Sequence, residues 1–300
     1  MVVVSKDEFD FIYSRLNSPN DIDLLHERMS LPKDMLINVL AKKITRRTTR
    51  DFYRVKDSAK YYLGVWKKGK TICQIADHIR FSPVLLSGFL FGDKMSKKSW
   101  RDILKDPSLA KGARLQKEVK EAVTADFVYS PRSNEQQSKN GKRSEGGIEK
   151  WLDEHKIKYI TEYDRKAELE PGAVKVRTPD FLLDKPVIYK GKKVFWFESK
   201  SSFGDHREAG RDFKKQLEPY TKLFGPGVVC YWYGYVREVE LPGVMLTTKE
   251  DFGVTHEEKS GVKQEIKHEH NSEAKHEHKT EVKSEHKTEA RHEAKHEHKS

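Results

Sequence analysis

Val194-Phe195-Trp196-Phe197-Glu198-Ser199-Lys200 is apolar on both faces until it ends in an acid and a base. A strand of that composition belongs inside a sheet rather than on its rim. Side chains two apart on a strand project to the same face, so Glu198 and Lys200 meet there. An ionised carboxylate in such surroundings is costly unless a metal or a partner charge compensates it. Upstream, Thr178-Pro179-Asp180 opens another strand, with proline at the first position, where its missing N–H is tolerated. Seventeen residues lie between Asp180 and Glu198, and pairing of the two strands would bring the carboxylates together. Two hard carboxylates, with waters and a phosphate oxygen, suit Mg²⁺. Lys200 beside them would orient or deprotonate a water and stabilise the charge that develops as a phosphodiester is attacked. A buried ion pair between strands is the plain structural alternative for the same three residues.

The neighbouring sequence alternates helix and strand. Residues 148–155 predict a short helix burying Ile148, Trp151 and Leu152, and residues 157–160 predict a strand. Strands at 178–183 and 194–200 follow, with a turn near Lys190-Gly191 between them. A helix over 206–224 stops at Gly225-Pro226-Gly227, and an apolar strand occupies 228–233. The order is αβββαβ, a small sheet with helices against it. The helix over 206–224 carries an apolar stripe at Ala209, Phe213, Leu217, Tyr220 and Phe224, and Gln216 falls on it. A polar group facing a sheet needs partners, although Pro219 is able to kink the helix and shift the register. Arg207, Arg211, Lys214 and Lys215 recur on another face, ready for phosphates. Glu149 is the favoured third acid, ahead of Glu145, though alone it reads equally as an exposed helix residue.

Residues 1–128 read as helical. Ser5 with Glu8 three residues on is a capping box, followed by Phe9, Ile12, Tyr13 and Leu16 at helical spacing. Helices at 21–29 and 33–44 are separated by Ser30-Leu31-Pro32. A second pair, 71–79 and 83–91, is joined by a short turn, with Ser82-Pro83 as the start signal of its second helix, and matches helix-turn-helix spacing. Its second helix is apolar nearly all round, so readout of base edges is not expected and backbone contact is.

The net charge of +11 lies almost wholly in residues 42–101, which hold 16 Lys and Arg against 4 Asp, so the remainder sums to −1. Aromatics are interleaved there at Phe52, Tyr53, Tyr61, Tyr62 and Trp66, the footprint of a phosphate-backbone binder. The candidate contacts are Arg46, Arg47, Arg50, Lys67, Lys68 and Lys70. Residues 129–145 are nearly devoid of apolar side chains and predict a linker. From 256 to 300 Glu, Lys and His repeat without an apolar face, which predicts a disordered tail. The expected organisation is therefore a helical nucleic-acid-binding region (1–128), a linker (129–145), an α/β domain (146–255) and the tail (256–300).

The chain is 300 residues long with 36% hydrophobic residues and a mean hydropathy of −0.82, which argues against one large core. No apolar run reaches the roughly 20 residues of a membrane span, and the start does not read as a secretory signal. Two distant cysteines, Cys73 and Cys230, exclude a disulfide scaffold and a zinc ribbon.

Pro179-Asp180 followed by Glu198-Ser199-Lys200 resembles the PD-(D/E)XK nuclease signature. The Thr-Pro-Asp form, with Ser201-Ser202-Phe203-Gly204-Asp205 after the lysine and Phe224-Gly225-Pro226-Gly227 leading to Tyr231-Trp232-Tyr233-Gly234, is similar to the TPD-motif family within that superfamily. The resemblance covers about residues 1–245 and leaves out the tail. It implies a restriction-endonuclease-like nuclease domain after helix-turn-helix segments, related to archaeal Holliday-junction resolvases. It implies Asp180 and Glu198 as metal ligands, Lys200 as the catalytic lysine, Glu149 as the helix acid and Gln216 as a polar helix position. It also implies a codanin-type partner linked to histone-chaperone biology and erythroid development, and residence in nucleus and cytoplasm. Related nucleases often work as symmetric dimers, so a homodimer is an expectation.

Three functions remain open at this level. The first is a Mg²⁺- or Mn²⁺-dependent endonuclease acting on DNA, branched or structured DNA included. The second is a catalytically silent adaptor that docks a codanin-like protein. The third is a helix-turn-helix regulator, against which the apolar second helix counts.

Overall fold

The computed structural model describes residues 2–92, 95–167 and 178–254. The repetitive tail lies outside the described residues. No helix among those described is long and apolar enough to cross a membrane.

The chain opens with β1 (Val3–Val4) and α1 (Lys6–Arg15). The capping box forms as the sequence predicts: Ser5 Oγ accepts from Glu8 N at 3.2 Å and Glu8 Oε2 from Ser5 N at 2.6 Å. α2 (Asn20–Met29) and α3 (Lys33–Asp57) follow. α3 runs well past the expected end at residue 44. Beyond Ile44 its buried face is marked only by Thr48 and Val55, too sparse to read as periodicity, but neither Gly nor Pro interrupts it.

Next come α4 (Ala59–Lys67), α5 (Ile72–Ile79), α6 (Pro83–Phe91), α7 (Lys97–Lys105) and α8 (Ala113–Ala125). α6 starts at the predicted Ser-Pro signal, with Ser82 Oγ accepting from Leu85 N at 3.0 Å. None of its residues is exposed. Leu86 and Leu90 pack with Ile75, Trp100, Ile103 and Val119 in a core of their own, and the part-buried Leu85, Phe89 and Phe91 on the helix's remaining surface offer no hydrogen-bonding side chain to base edges.

Residues 131–154 form a single helix, α9 (Pro131–Glu154), and the expected linker at 129–145 is corrected accordingly. Ser130 caps it, Pro131 sits in its first turn, and pairs such as Glu135–Lys139 (2.7 Å) span its polar surface. A helix facing water in its first half needs no apolar stripe, so composition concealed it. The expected boundary after residue 128 fares no better as a division of the core. α1, α2 and the first half of α3 pack on the sheet, where Phe9 stacks on Phe203 at 5.5 Å.

After α9 come β2 (Tyr159–Thr161), α10 (Glu162–Ala167), β3 (Phe181–Tyr189) and β4 (Lys192–Lys200). α11 (His206–Asp212), a π-helical turn (Phe213–Leu217) and α12 (Glu218–Phe224) lead to β5 (Gly227–Tyr231), β6 (Tyr235–Val236) and β7 (Val244–Thr247). The sheet runs β2-β3-β4-β5-β7, antiparallel from β2 to β4 and parallel from β4 to β7. β4 is central, as its two-faced apolar sequence requires. Lys190 and Gly191, both at positive φ, turn β3 into β4, the two-residue hairpin geometry. Ile148 and Leu152 of α9 cover one face against Phe181, Phe197 and Val228. Ala209, Leu217 and Tyr220 cover the other, against Trp196 and Val229. β1 pairs with β6 in parallel and ties the N-terminus to this assembly.

Gly227 begins β5 directly over the indole of Trp196, where a Cβ would lie 2.1 Å from the ring. Trp196 is fully buried and its Nε1–H donates to Gly225 O at 2.8 Å, so it cannot swing aside cheaply. Gly227→Ala is expected to lower unfolding free energy by about 3 kcal/mol, read by urea denaturation.

Candidate active site

Antiparallel pairing of β3 with β4 sets Phe181 opposite Phe197, which brings Asp180 alongside Glu198. The two acids are then cross-stapled through the backbone. Asp180 N donates to Glu198 Oε2 at 3.1 Å, and Ser199 N donates to Asp180 Oδ2 at 2.8 Å. Lys200 Nζ reaches Glu198 Oε1 at 2.6 Å, so the same-face expectation for Glu198 and Lys200 is met. Glu198 is only 2% exposed and the Lys200 side chain 18%.

Gln216 joins the same group. Its Oε1 accepts from Lys200 Nζ at 2.6 Å, while its Nε2 donates to Glu198 Oε1 and to Tyr220 Oη, both at 2.8 Å. Tyr220 Oη in turn donates to Thr178 O at 2.7 Å, holding the segment that carries Asp180. The stretch over 206–224 is not one regular helix: residues 213–217 form the π turn. Pro219 lacks an N–H and its ring crowds the carbonyl four residues earlier. A wider turn immediately before it accommodates both defects and aims Gln216 at the site. Such turns are frequent at functional positions.

Electrostatically the centre lacks positive charge. Burial, then the charge of Asp180, raises the Glu198 carboxyl above the ordinary carboxylate range, against the pull of Lys200. Burial would lower Lys200, but the charge and hydrogen bond of Glu198 outweigh it and leave the ammonium raised. A buried carboxylate, a part-buried one and a single ammonium are therefore crowded together, and a small cation would relieve the imbalance. The hard oxygen donors of Asp180 and Glu198 fit such an ion. Among the described residues there is no group of three or more His, Cys, Asp or Glu side chains close enough to hold a metal by themselves.

Glu149 does not join the pair. It is exposed and accepts from Tyr159 Oη at 3.4 Å. Glu145, one helical turn earlier, is the acid of α9 that senses Asp180: burial raises its carboxyl, followed by the charges of Asp180, Glu162 and Glu149. Both acids lie four residues apart on one helix, and spacing could not choose between them. Sequence reasoning missed Asp212 altogether. This half-buried acid on α11 is raised by burial and lowered by the nearby charge of Lys200, and it accepts from Tyr231 Oη at 3.1 Å. Its position four residues before Gln216 was the available signal.

The basic candidates divide. Arg207, Lys214, Lys215, Lys67, Lys68 and Lys70 are exposed. Arg50 is exposed and pairs with Asp51 at 3.1 Å, and Arg211 pairs with Glu208 at 2.5 Å. Arg46 is turned inward, its Nη2 2.9 and 2.7 Å from the two carboxylate oxygens of Asp205. Arg47 is half-buried.

Residues 111–252, which include Thr178-Pro179-Asp180, match the family described as "Protein of unknown function TPD sequence-motif". The chain is 29% identical over 210 residues to the CDAN1-interacting nuclease 1 of Mus musculus, an alignment covering 67% of this chain and 71% of the mouse protein. The Homo sapiens form is 28% identical over the same length, with the same coverage of both chains. The Danio rerio form is 25% identical over 227 residues, covering 70% of this chain and 74% of its own. No solved structure matches the chain.

Proposed function

We propose that this chain, a TPD-motif family member by its residues 111–252, is a divalent-metal-dependent nuclease of the PD-(D/E)XK kind that hydrolyses phosphodiester bonds in DNA. The observation that carries the reading is the closed network in which Glu198 accepts from Lys200 and Gln216 while Asp180 is held by Ser199 N. A structural ion pair needs one acid and one base. This centre places a second, part-buried acid and an amide on the same spot, and the relatives are named as nucleases.

Asp180 and Glu198 would hold Mg²⁺ or Mn²⁺. Bound there, the ion would supply positive charge that polarises the scissile phosphate and eases deprotonation of water. Lys200 would keep that water in line with the phosphorus and offset negative charge as it grows on the phosphoryl oxygens. Gln216 fixes the Lys200 ammonium, and Tyr220 keeps Thr178-Pro179-Asp180 from drifting away from β4. Arg207, Lys214 and Lys215, on the outer side of the helices that follow β4, would steer the backbone towards the pair. The test is incubation with branched, single-stranded and duplex DNA in Mg²⁺ or Mn²⁺, with and without EDTA. Cleavage that EDTA abolishes is the expected result. No cleavage of any substrate, or cleavage indifferent to EDTA, overturns the proposal.

Glu145 would complete the acidic side of the centre. Glu145→Gln is expected to raise the metal concentration giving half-maximal cleavage about tenfold, a loss typical of groups supporting a metal, whereas Glu149→Gln should leave it within about twofold. Metal titrations of both variants make the comparison.

The names of the relatives also favour a codanin-like protein as partner. Docking of that partner should survive Asp180→Asn, because the acid lies in the catalytic network. A pull-down with both proteins checks this, and loss of binding in the variant would tie the partner to the active site.

A further inference from the structure

Five aromatics are interleaved in the basic block, and the fold treats them differently. Tyr62 is buried, and Phe52 and Trp66 pack against the core enclosed by α4–α8. Trp66 Nε1 is satisfied by Glu118 at 2.8 Å, with Arg114 over its ring. Tyr53 and Tyr61 are left 73% and 70% exposed. Large aromatic faces in water normally mark a binding surface when they cluster with charge of one sign.

Each exposed ring is held by an inward neighbour. Tyr53 makes a T-shaped contact with Phe52 at 5.4 Å, and Phe52 another with Phe89 of α6 at 5.2 Å. Tyr61 meets Tyr62 in the same manner at 5.4 Å. Cations surround both. Arg50, Tyr53 and Arg54 fall at i, i+3 and i+4 on α3, and all three are exposed. Tyr61 and Gly64 of α4 and Lys68 just past its end fall at i, i+3 and i+7, beside Lys60. A Cβ at Gly64 would meet nothing within 4 Å, so the surface next to Tyr61 is open and flat. Asp51 and Asp57 are the only acids in residues 42–70.

Arg47 adds a second observation. Its Nε is buried and has no hydrogen-bond partner among the described residues. Burial lowers its pKa, followed by the charge of Arg80; Asp51 pulls the other way, and Arg50 adds to the lowering. A buried guanidinium N–H left without a partner is a costly arrangement that an anionic oxygen would relieve.

The segment is also anchored to the stretch that follows β4, just past Lys200. Asn38 Oδ1 accepts from Phe203 N at 2.7 Å, Lys42 pairs with Glu208 at 2.5 Å, and Arg46 pairs with Asp205. Tyr53 lies seven residues beyond Arg46 on the same helix, about 10 Å at the rise of an α-helix.

We propose that Tyr53 and Tyr61 are stacking platforms for unpaired bases of a nucleic-acid strand whose phosphates lie on Arg50, Arg54, Lys60 and Lys68, with Arg47 donating to one of them. Cations alone would suit any polyanion. Open aromatic faces set among them suit unpaired bases, which stack on such rings whatever their sequence. For its purpose the inference rests on the nuclease reading, to which it adds the substrate feature: DNA with single-stranded nucleotides beside the bond that is cut.

Fluorescence anisotropy of the full chain in EDTA tests binding without cleavage. The probes are an oligothymidylate of about 20 nucleotides, an abasic strand of equal length and charge, and a duplex. The wild type is expected to prefer oligothymidylate over the abasic strand by roughly tenfold or more. Tyr53→Ala with Tyr61→Ala should remove that preference and leave abasic binding unchanged, while the paired Tyr→Phe variant should retain it. Arg47→Gln should lower affinity for both strands alike and flatten the salt dependence by about one phosphate's worth. Equal wild-type affinity for the two strands, or an equal fall for both in the alanine variant, overturns the proposal. So does failure to bind any strand while polyglutamate or anionic vesicles are captured. If the base preference holds but no DNA is cut in Mg²⁺ or Mn²⁺, the nuclease reading falls and the strand-binding surface stands.

Discussion

Asp180→Asn and Glu198→Gln are each expected to slow metal-dependent DNA cleavage by about a thousandfold or more, the scale seen when a group that stabilises transition-state charge is removed. Both substitutions keep shape and take away a full charge. In Asp180→Asn the side-chain oxygen still accepts from Ser199 N, which is 2.8 Å from Oδ2 in the native protein. In Glu198→Gln the oxygen still accepts from Lys200 and Gln216, but the new amide faces Asp180 N–H where Oε2 had accepted. That mismatch costs about 1–2 kcal/mol, well short of unfolding a typical domain. Single-turnover rates, with circular dichroism as the control for folding, separate loss of chemistry from loss of structure. Wild-type rates in both folded variants would remove Asp180 and Glu198 from the reaction.

Arg46→Met is expected to lower unfolding free energy by about 3 kcal/mol, as when one partner of a buried ion pair is deleted. The Arg46 side chain is 15% exposed and reaches both oxygens of Asp205, with Glu208 3.7 Å away. Asp205 also caps α11, accepting from Arg207 N and Glu208 N, each at 2.9 Å. Removing the guanidinium leaves the buried Asp205 carboxylate without its cation, while Glu208 keeps Lys42 and Arg211. Burial would raise the Glu208 carboxyl, but Lys42, Arg211 and Arg46 outweigh it and hold it below the ordinary range. A carboxyl depressed in the folded state contributes stability above its unfolded pKa and loses it as pH falls through the folded value. The acid limb of the stability profile should therefore move to higher pH in Arg46→Met. Urea unfolding across pH checks both effects. Lys67→Ala, on the exposed side, should change stability by less than about 0.5 kcal/mol.

Local chemistry made much of this molecule legible beforehand. The capping box at Ser5 and Glu8, the Ser82-Pro83 start of α6 and the Lys190-Gly191 turn depend on residues within a few positions of each other, and all appear where spacing put them. The two-faced apolar run before Glu198 sufficed to place β4 in mid-sheet, and strand alternation sufficed to set Glu198 beside Lys200. Helical order without an apolar stripe escaped notice, in α9 and in the second half of α3, because periodicity reports burial rather than helicity.

Partner choice over long separations was another matter. Arg46 and Lys67 look alike in a basic stretch, yet Asp205, 159 residues away from Arg46, draws one of them inward. Glu145 and Glu149 are equivalent by spacing until the packing of α9 on the sheet part-buries Glu145, whose carboxyl is raised by that burial and then by the charge of Asp180, and leaves Glu149 exposed. Gln216 reaches Lys200 through a π turn that no periodicity encodes. Tyr53 and Tyr61 are separated from Tyr62 and Trp66 by which side of α3 and α4 the helical core covers. The order of residues along a chain settles backbone geometry over one or two turns, because those forces act between near neighbours. Which charges are desolvated, and therefore which are paired and which left to meet a ligand, depends on surfaces assembled from distant segments.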